Sequence, residues 1–266
     1  MSETFASMCL KVEECLKAPR YSTANGACTA STLVDSLLTD EPDQFFKGGI
    51  IFFLSGSLAG KTAIVTNFAT ATGTISFETQ TNAPSIGDQY ALVQANYPRE
   101  AIVSAINRAL NAVGPFRGIY EDPTFLTVSN QEKYVLPDDV ANVQRVFVAS
   151  NATEPFNWME NNGWYEQNKN LYFDQNPPSI SSRRIRLFYH KAHDRVYLDS
   201  DPISDDANSE LIAWTAAYYA ALVRSGYAEN SEPYVKELIT YAQQKMIEYS
   251  RFPVERWRKA VRKSNW

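Results

Sequence analysis

The stretch Asp205–Arg251 reads DDANSELIAWTAAYYAALVRSG and then YAENSEPYVKELITYAQQKMIEYSR, and the rest of the chain is read around it. In its first arm Leu211, Trp214, Thr215, Tyr218 and Leu222 recur at the spacing of one helical face. In the second, Val235, Leu238, Ile239, Ala242, Met246 and Tyr249 do the same. Asp206 or Asn208 is placed to cap the first arm and Gly226 to close it. Asn230 or Ser231 starts the second, with Pro233 tolerated in its first turn. Alanines 213, 216, 217, 220 and 221 leave room for a close helix neighbour. The hairpin reads as half of a helical bundle.

Two further helices supply the other half. Residues 2–17 carry Phe5, Met8, Cys9, Val12 and Leu16 on one face, and Pro19 ends the run. Residues 96–113 (NYPREAIVSAINRALNAV) put Ile102, Ile106, Leu110 and Val113 in a buried stripe, stopped by Gly114-Pro115. Between them, GIIFFLSG, KTAIVTNFA, GTISFETQ and QYALVQ are short β-branched and aromatic runs separated by turn residues. A second β region follows over 118–200, with TFLTV, KYVLP, VQRVFVAS, NLYFD and RIRLFYHKA as its strongest strands.

The expected fold class is therefore α+β. A four-helix bundle is drawn from 2–17, 97–113, 207–226 and 231–251, with β inserts at 28–93 and 118–200 forming a small barrel or sandwich. The expected organisation is a first helix and linker at 1–27, a small β domain at 28–95 and a second helix at 96–117. A second β region at 118–204, the hairpin at 205–251 and a basic arm at 252–266 complete it.

Charge is unevenly spread. Residues 251–266 hold six cations against Glu255 alone, a charge of +5, which leaves −10 on the remainder of a chain whose total is −5. An acidic body argues against wrapping nucleic acid by broad attraction, and a basic tail suggests docking. Cys9, Cys15 and Cys28 are odd in number and lack CxxC spacing, which fits reduced thiols in a cytosolic assembly. No apolar run approaches the length of a membrane span, and no signal peptide is visible. The 15 tyrosines suit either buried protein–protein contacts or an aromatic-rich core.

Several chemical readings fail on spacing. SGSLAGKT (Ser55–Thr62) has three residues between its glycines where a phosphate loop needs four, and the strand-like AIVTNF follows it instead of a helix. His190 and His193 would point to opposite faces of a strand running into a turn, and a structural zinc site wants four ligands. Asp199, Asp201, Asp205 and Glu210 fit a calcium-loop numbering, but Ser204 stands where the turn needs glycine and Ile203 offers no side-chain oxygen. The pairs Glu121-Asp122 and Asp138-Asp139 read as turn acids before strands, with no second carboxylate placed across a cleft. No nucleophile elbow appears, and neither histidine has an evident nucleophile partner. The expectation is no enzyme, no cofactor and no metal, with a calcium loop at residues 199–210 and an enzyme using the acidic pairs as the minor alternatives.

The tail RFPVERWRKAVRKSNW is the strongest partner-binding candidate. Arg251, Phe252, Arg256, Trp257, Arg258, Lys259, Arg262, Lys263 and Trp266 would form an arm whose tryptophans fill pockets and whose cations meet an acidic surface. The competing readings are a solvated, disordered end, or cations facing DNA in a channel.

The order YVLPDDVANVQRVFV (Tyr134–Val148), WMENNGWY, LYFD, RIRLFYHKA and LDSDPISDDANSELIAWTAA resembles the adaptor and neck proteins of tailed bacteriophages. Head-completion and tubular adaptors are among them. There a Leu-Pro-x-Asp strand opens a β region, and a strand ending in Tyr leads through an acidic turn to an alanine-rich helix. The resemblance covers roughly 96–250. It implies a structural virion protein: a homo-oligomeric ring, dodecameric as in the family, below the portal protein. The C-terminal arm would dock on the portal, and the β regions would offer a platform to the next tail or nozzle protein. DNA would pass only transiently through the lumen, with no membrane involved. Localisation would be the neck or tail of the virion, and the host cytoplasm during assembly. The alternative is a tail or baseplate β module binding a glycan or receptor through aromatics near Trp158, Trp164 and Tyr165.

Overall fold

The computed structural model describes residues 3–16, 19–174, 178–204, 208–227 and 233–250. These divide into two compact units, one from 3–113 and 194–250, the other from 114–193.

The first unit holds the helices. Helix α1 spans Phe5–Leu16, α2 Arg99–Val113, α3 Ser209–Tyr227 and α4 Pro233–Ser250. Local chemistry explains where they begin. Thr4 and Ser7 cap α1 reciprocally: each backbone N–H donates to the other's hydroxyl, at 3.0 and 3.3 Å. Asn208 caps α3, its Oδ1 accepting the Leu211 N–H at 3.2 Å. Pro98 opens α2, its carbonyl accepting from Ala101 and Ile102.

The four-helix bundle is overturned. In a bundle each helix faces a shared core. Here α3 is the hub, packed against α1, α2 and α4, while α1 and α2 touch less. Among the described residues no comparable packing joins α4 to α1 or α2. The outer helix buries only Val235, Leu238 and Ala242; Ile239 and Met246, expected in its stripe, are half-exposed. The reason lies on α3. Its buried centre is Ile212, Ala213, Ala216, Ala217, Ala220 and Ala221, not the larger Trp214 and Tyr218, which sit half-buried at the edges. A ridge of alanines admits neighbours on several sides, so α3 takes the middle and α4 is left on its flank.

The β part of the first unit comprises β1 (Arg20–Thr23), β2 (Thr32–Val34), β3 (Ile50–Phe53), β4 (Thr62–Ala69), β5 (Thr74–Phe77) and β6 (Gln89–Val93). It therefore begins ahead of the expected boundary at 28. They form one antiparallel sheet in the order β1-β6-β3-β4-β5-β2. The sheet curls into a half-barrel. Its two edge strands are joined where Asn25 and Gly26 donate to the Val34 carbonyl at 3.0 and 3.1 Å. Alternation in β4 breaks where its pairing with β5 shifts between Val65 and Asn67, so the buried side chain moves to Phe68. Leu33, Phe53, Phe68, Ile75 and Tyr90 centre the barrel's core. At the β4–β5 turn Gly73 has φ +60°, and a Cβ there would lie 1.9 Å from the Asp35 carbonyl oxygen, so only glycine fits.

The second unit is two sheets about one core. Strands β7 (Phe116–Leu126), β8 (Lys133–Val135), β9 (Val143–Ala149), β10 (Trp158–Asn161), β11 (Trp164–Gln167), β12 (Asn170–Phe173) and β13 (Arg184–Lys191) build it. The sheet orders are β10-β9-β13-β7 and β11-β12-β8, all antiparallel. In β13 Ile185, Leu187 and Tyr189 face in, alternating with half-exposed Arg184, Arg186 and Phe188, the period expected of a strand with one wet face. They meet Val146, Trp164, Leu171 and Phe173 in a shared core. Pro123 is accommodated because β7 is an edge strand.

Candidate functional site

Asp199 organises the first unit. Its Oδ2 accepts the Thr62 N–H at 2.7 Å, and its Oδ1 accepts the Thr62 hydroxyl at 2.9 Å and Arg99 Nη2 at 3.0 Å. Its backbone carbonyl accepts the Ala6 N–H at 3.2 Å. The carboxylate thus ties the half-barrel to the start of α2, and the same residue's backbone carbonyl holds the start of α1. Two residues on, Asp201 accepts the N–H groups of Tyr197 and Leu198 at 2.7 and 2.9 Å, and these bonds hold its carboxyl below the usual range.

The same segment forms one wall of a groove along α2. Asn107 clamps Val196 at both ends of its backbone: Nδ2 donates to the Val196 carbonyl at 2.9 Å and Oδ1 accepts its N–H at 3.0 Å. Glu100, Val103, Ser104, Asn107, Arg108 and Asn111 recur three or four apart and supply the other wall. The groove has a volume of about 540 Å³, and Arg99, Arg195 and Tyr197 complete its lining. The Arg108 guanidinium lies over the Tyr219 ring, 4.4 Å from its centroid. Among the described residues neither Arg108 nor Arg195 is paired with a carboxylate.

A second cleft, of about 350 Å³, opens between α1 and α4, where a bundle would have had its seam. Lys11, Glu14 and Cys15 face Trp214, Tyr241 and Lys245 across it. Trp214 and Tyr241 meet edge to face at 5.2 Å. Lys11 is held by Glu3 and Ser209, and Lys245 by Glu248, so both cations are committed locally.

The portal-docking candidates, Arg251, Phe252, Arg256, Trp257, Arg258, Lys259, Arg262, Lys263 and Trp266, lie outside the described residues. Ser55–Thr62 forms the β3–β4 connection, in which the Gly60 N–H donates to the Phe53 carbonyl. His190 lies on β13, whereas His193 packs its ring edge-on to Phe116 at 5.3 Å. Among the described residues no three His, Cys, Asp or Glu side chains are grouped to hold a metal ion. Glu121 pairs with Arg186 at 2.6 Å, and Asp138 with Lys169 at 3.0 Å. Trp164 is buried, the half-buried Trp158 has the Arg186 guanidinium over its ring at 4.0 Å, and Tyr165 stacks on Tyr172. Sequence reasoning weighed Asp199 and Asp201 only as calcium ligands and missed the α2 groove. The available signal was polar residues recurring on the face of α2 opposite Ile102, Ile106 and Leu110. No helix among the described residues is long and apolar enough to cross a membrane. No protein-family model matches the chain, and a search of curated proteins returned no match.

Proposed function

We propose that this chain is a structural virion protein, a head-to-tail adaptor that assembles as a ring below the portal and passes DNA through its lumen. The observation that carries the reading is the placement of α4. It packs on α3 with three buried residues and leaves Tyr234, Tyr241 and Ile247 at 52%, 48% and 56% exposure. A helix that buries so little within its own chain has apolar surface left for neighbouring copies, as a ring subunit requires. The Asp199 junction supports the same reading. It joins the half-barrel to α2 through one carboxylate and to α1 through one backbone carbonyl, as a subunit that must hold together in a ring would need. In this reading the 251–266 arm docks on the portal, and a β region meets the next tail or nozzle protein. The order of motifs from Tyr134 to Ala217 adds the resemblance to phage adaptors.

Electron microscopy and sedimentation of the purified protein, alone and mixed with portal, test this. Rings that cap the portal are expected, and deletion of 252–266 should abolish attachment while leaving the fold intact. A monomer that ignores the portal, or a truncated protein that still attaches, overturns the assignment or the docking role respectively.

A further inference from the structure

We propose that the groove along α2 binds a nucleoside phosphate, its phosphate held by Arg108 and Arg195 and its base laid on Tyr197. This goes beyond the adaptor reading and does not depend on it.

The walls are built before any ligand arrives. Asn107 holds both backbone groups of Val196, and Asp201 holds the N–H groups of Tyr197 and Leu198, so Arg195 and Tyr197 flank a segment whose own hydrogen bonds are satisfied. The α2 wall is fixed by Val196, 2% exposed, and by the Arg99–Asp199 pair.

The charge pattern asks for an oxyanion. Arg99 is spent on Asp199, but Arg108 and Arg195 have no carboxylate among the described residues, on a chain whose total charge is −5. By contrast, the half-buried Arg145 is matched to Glu160 and the half-buried Arg186 to Glu121. Stacking on Tyr219 orients the Arg108 guanidinium and leaves its N–H edge for acceptors; a planar fork of that kind suits phosphate oxygens. Ser104, exposed on the same face, adds a hydroxyl.

Size and the aromatic point to more than inorganic phosphate. A volume of about 540 Å³ is in the range of small-molecule sites and far exceeds one phosphate. Tyr197, 51% exposed beside Arg195, offers a ring on which a base can stack. Glu100 on the rim repels a second or third phosphate, which favours a monophosphate or a phosphodiester over a triphosphate. The shared chemistry is thus one phosphate plus one base, supplied by a free nucleotide or by one unit of a polynucleotide strand.

Titration calorimetry on the full chain at roughly 50 mM salt tests this, with thymidine 5′-monophosphate, thymidine, inorganic phosphate and oligothymidylate as probes. The monophosphate should bind saturably and thymidine about tenfold more weakly or worse. Arg195→Gln, at an exposed position, should weaken the monophosphate about tenfold with unchanged thermal unfolding, and Arg108→Gln should act alike. Tyr197→Leu should weaken the monophosphate but not inorganic phosphate. An oligomer that binds more tightly than the monophosphate and is weakened by Arg195→Gln identifies a strand as the source; equal affinities identify a free nucleotide. The basic residues of 251–266 are present in every variant, so the differences isolate the groove. No saturable binding of the monophosphate, or binding that Arg195→Gln leaves unchanged, overturns the proposal.

Discussion

Arg99 and Asp199, one hundred positions apart, meet at 3.0 Å, and the carboxylate that receives Arg99 also receives the Thr62 N–H and hydroxyl. The Asp199 side chain is only 13% exposed, so these donors have little water to fall back on. Asp199→Ala should cost about 2–4 kcal/mol, through unpaired donors more than lost attraction. Asp199→Asn, which keeps an acceptor for Thr62, should cost roughly half that. Urea unfolding of both variants checks the order; equal stability of Asp199→Ala and the parent would remove the junction from the account.

Inside the half-barrel, buried Asp35 accepts from Tyr90 at 2.6 Å, from Asn25 at 3.1 Å, from the Leu37 N–H at 3.0 Å, and from Ser22. Burial, then the bond to Asp35, pushes the Tyr90 phenol well above its ordinary value. A group with a raised folded pKa contributes stability below its unfolded pKa and loses it as pH rises. The parent should therefore lose stability above roughly pH 10. Tyr90→Phe should start about 1–2 kcal/mol less stable and fall less steeply. Thermal unfolding between neutral and alkaline pH measures both.

On the outer face of the second unit Arg145 grips both oxygens of Glu160 at 2.7 Å, and that hydrogen bonding holds the Glu160 carboxyl below its usual range. A depressed carboxyl contributes stability above its unfolded pKa, near 4.3, and loses it as pH falls through the folded value. Both side chains are about a third exposed, so the contribution is held to about 0.5–1 kcal/mol by screening. Glu160→Gln should be slightly less stable at neutral pH and match the parent in acid, read from melting temperature against pH.

Burial raises the thiol of Cys15, pushed up to about 12, and that of Cys9 further. The thiolate is the reactive form, so both should alkylate slowly at pH 8 in the folded protein and rapidly in denaturant. Mass spectrometry after a timed iodoacetamide pulse reads this out. Fast labelling of Cys9 would show that α1 opens readily.

The exposed Ile247 on α4 gives a test of assembly separate from folding. Ile247→Asp should change unfolding by less than about 0.5 kcal/mol, since the side chain is 56% exposed. The same change should break contacts between copies, visible as a smaller particle by light scattering. An unchanged particle size would place the subunit contact elsewhere.

Much of the local order was legible in the sequence. Apolar recurrence marked the helices around Val12, Ile106, Ala216 and Leu238 because a helix must bury one face whatever it packs against. Alternation marked β13 for the same reason at period two. The arrangement of the helices was not legible. The stripe through Trp214 and Tyr218 looked like a core because large residues weigh most in a periodic count, whereas the buried centre of α3 is its run of alanines. Which helix takes the hub depends on how closely neighbours approach, and that is a property of pairs of surfaces.

The sequence by itself determined the helices and the strongest strands, a cap at Asp206 or Asn208 and the split between an acidic body and a basic end. Each follows from interactions among residues near in the chain, or from simple counting. Tertiary structure alone decided that α4 rides outside α3, that Asp199 receives Thr62 and Arg99, and that Arg108 and Arg195 line one groove. Those groups lie tens to more than a hundred residues apart. No local pattern encodes their meeting; it comes from the chain folding to bury its apolar faces together.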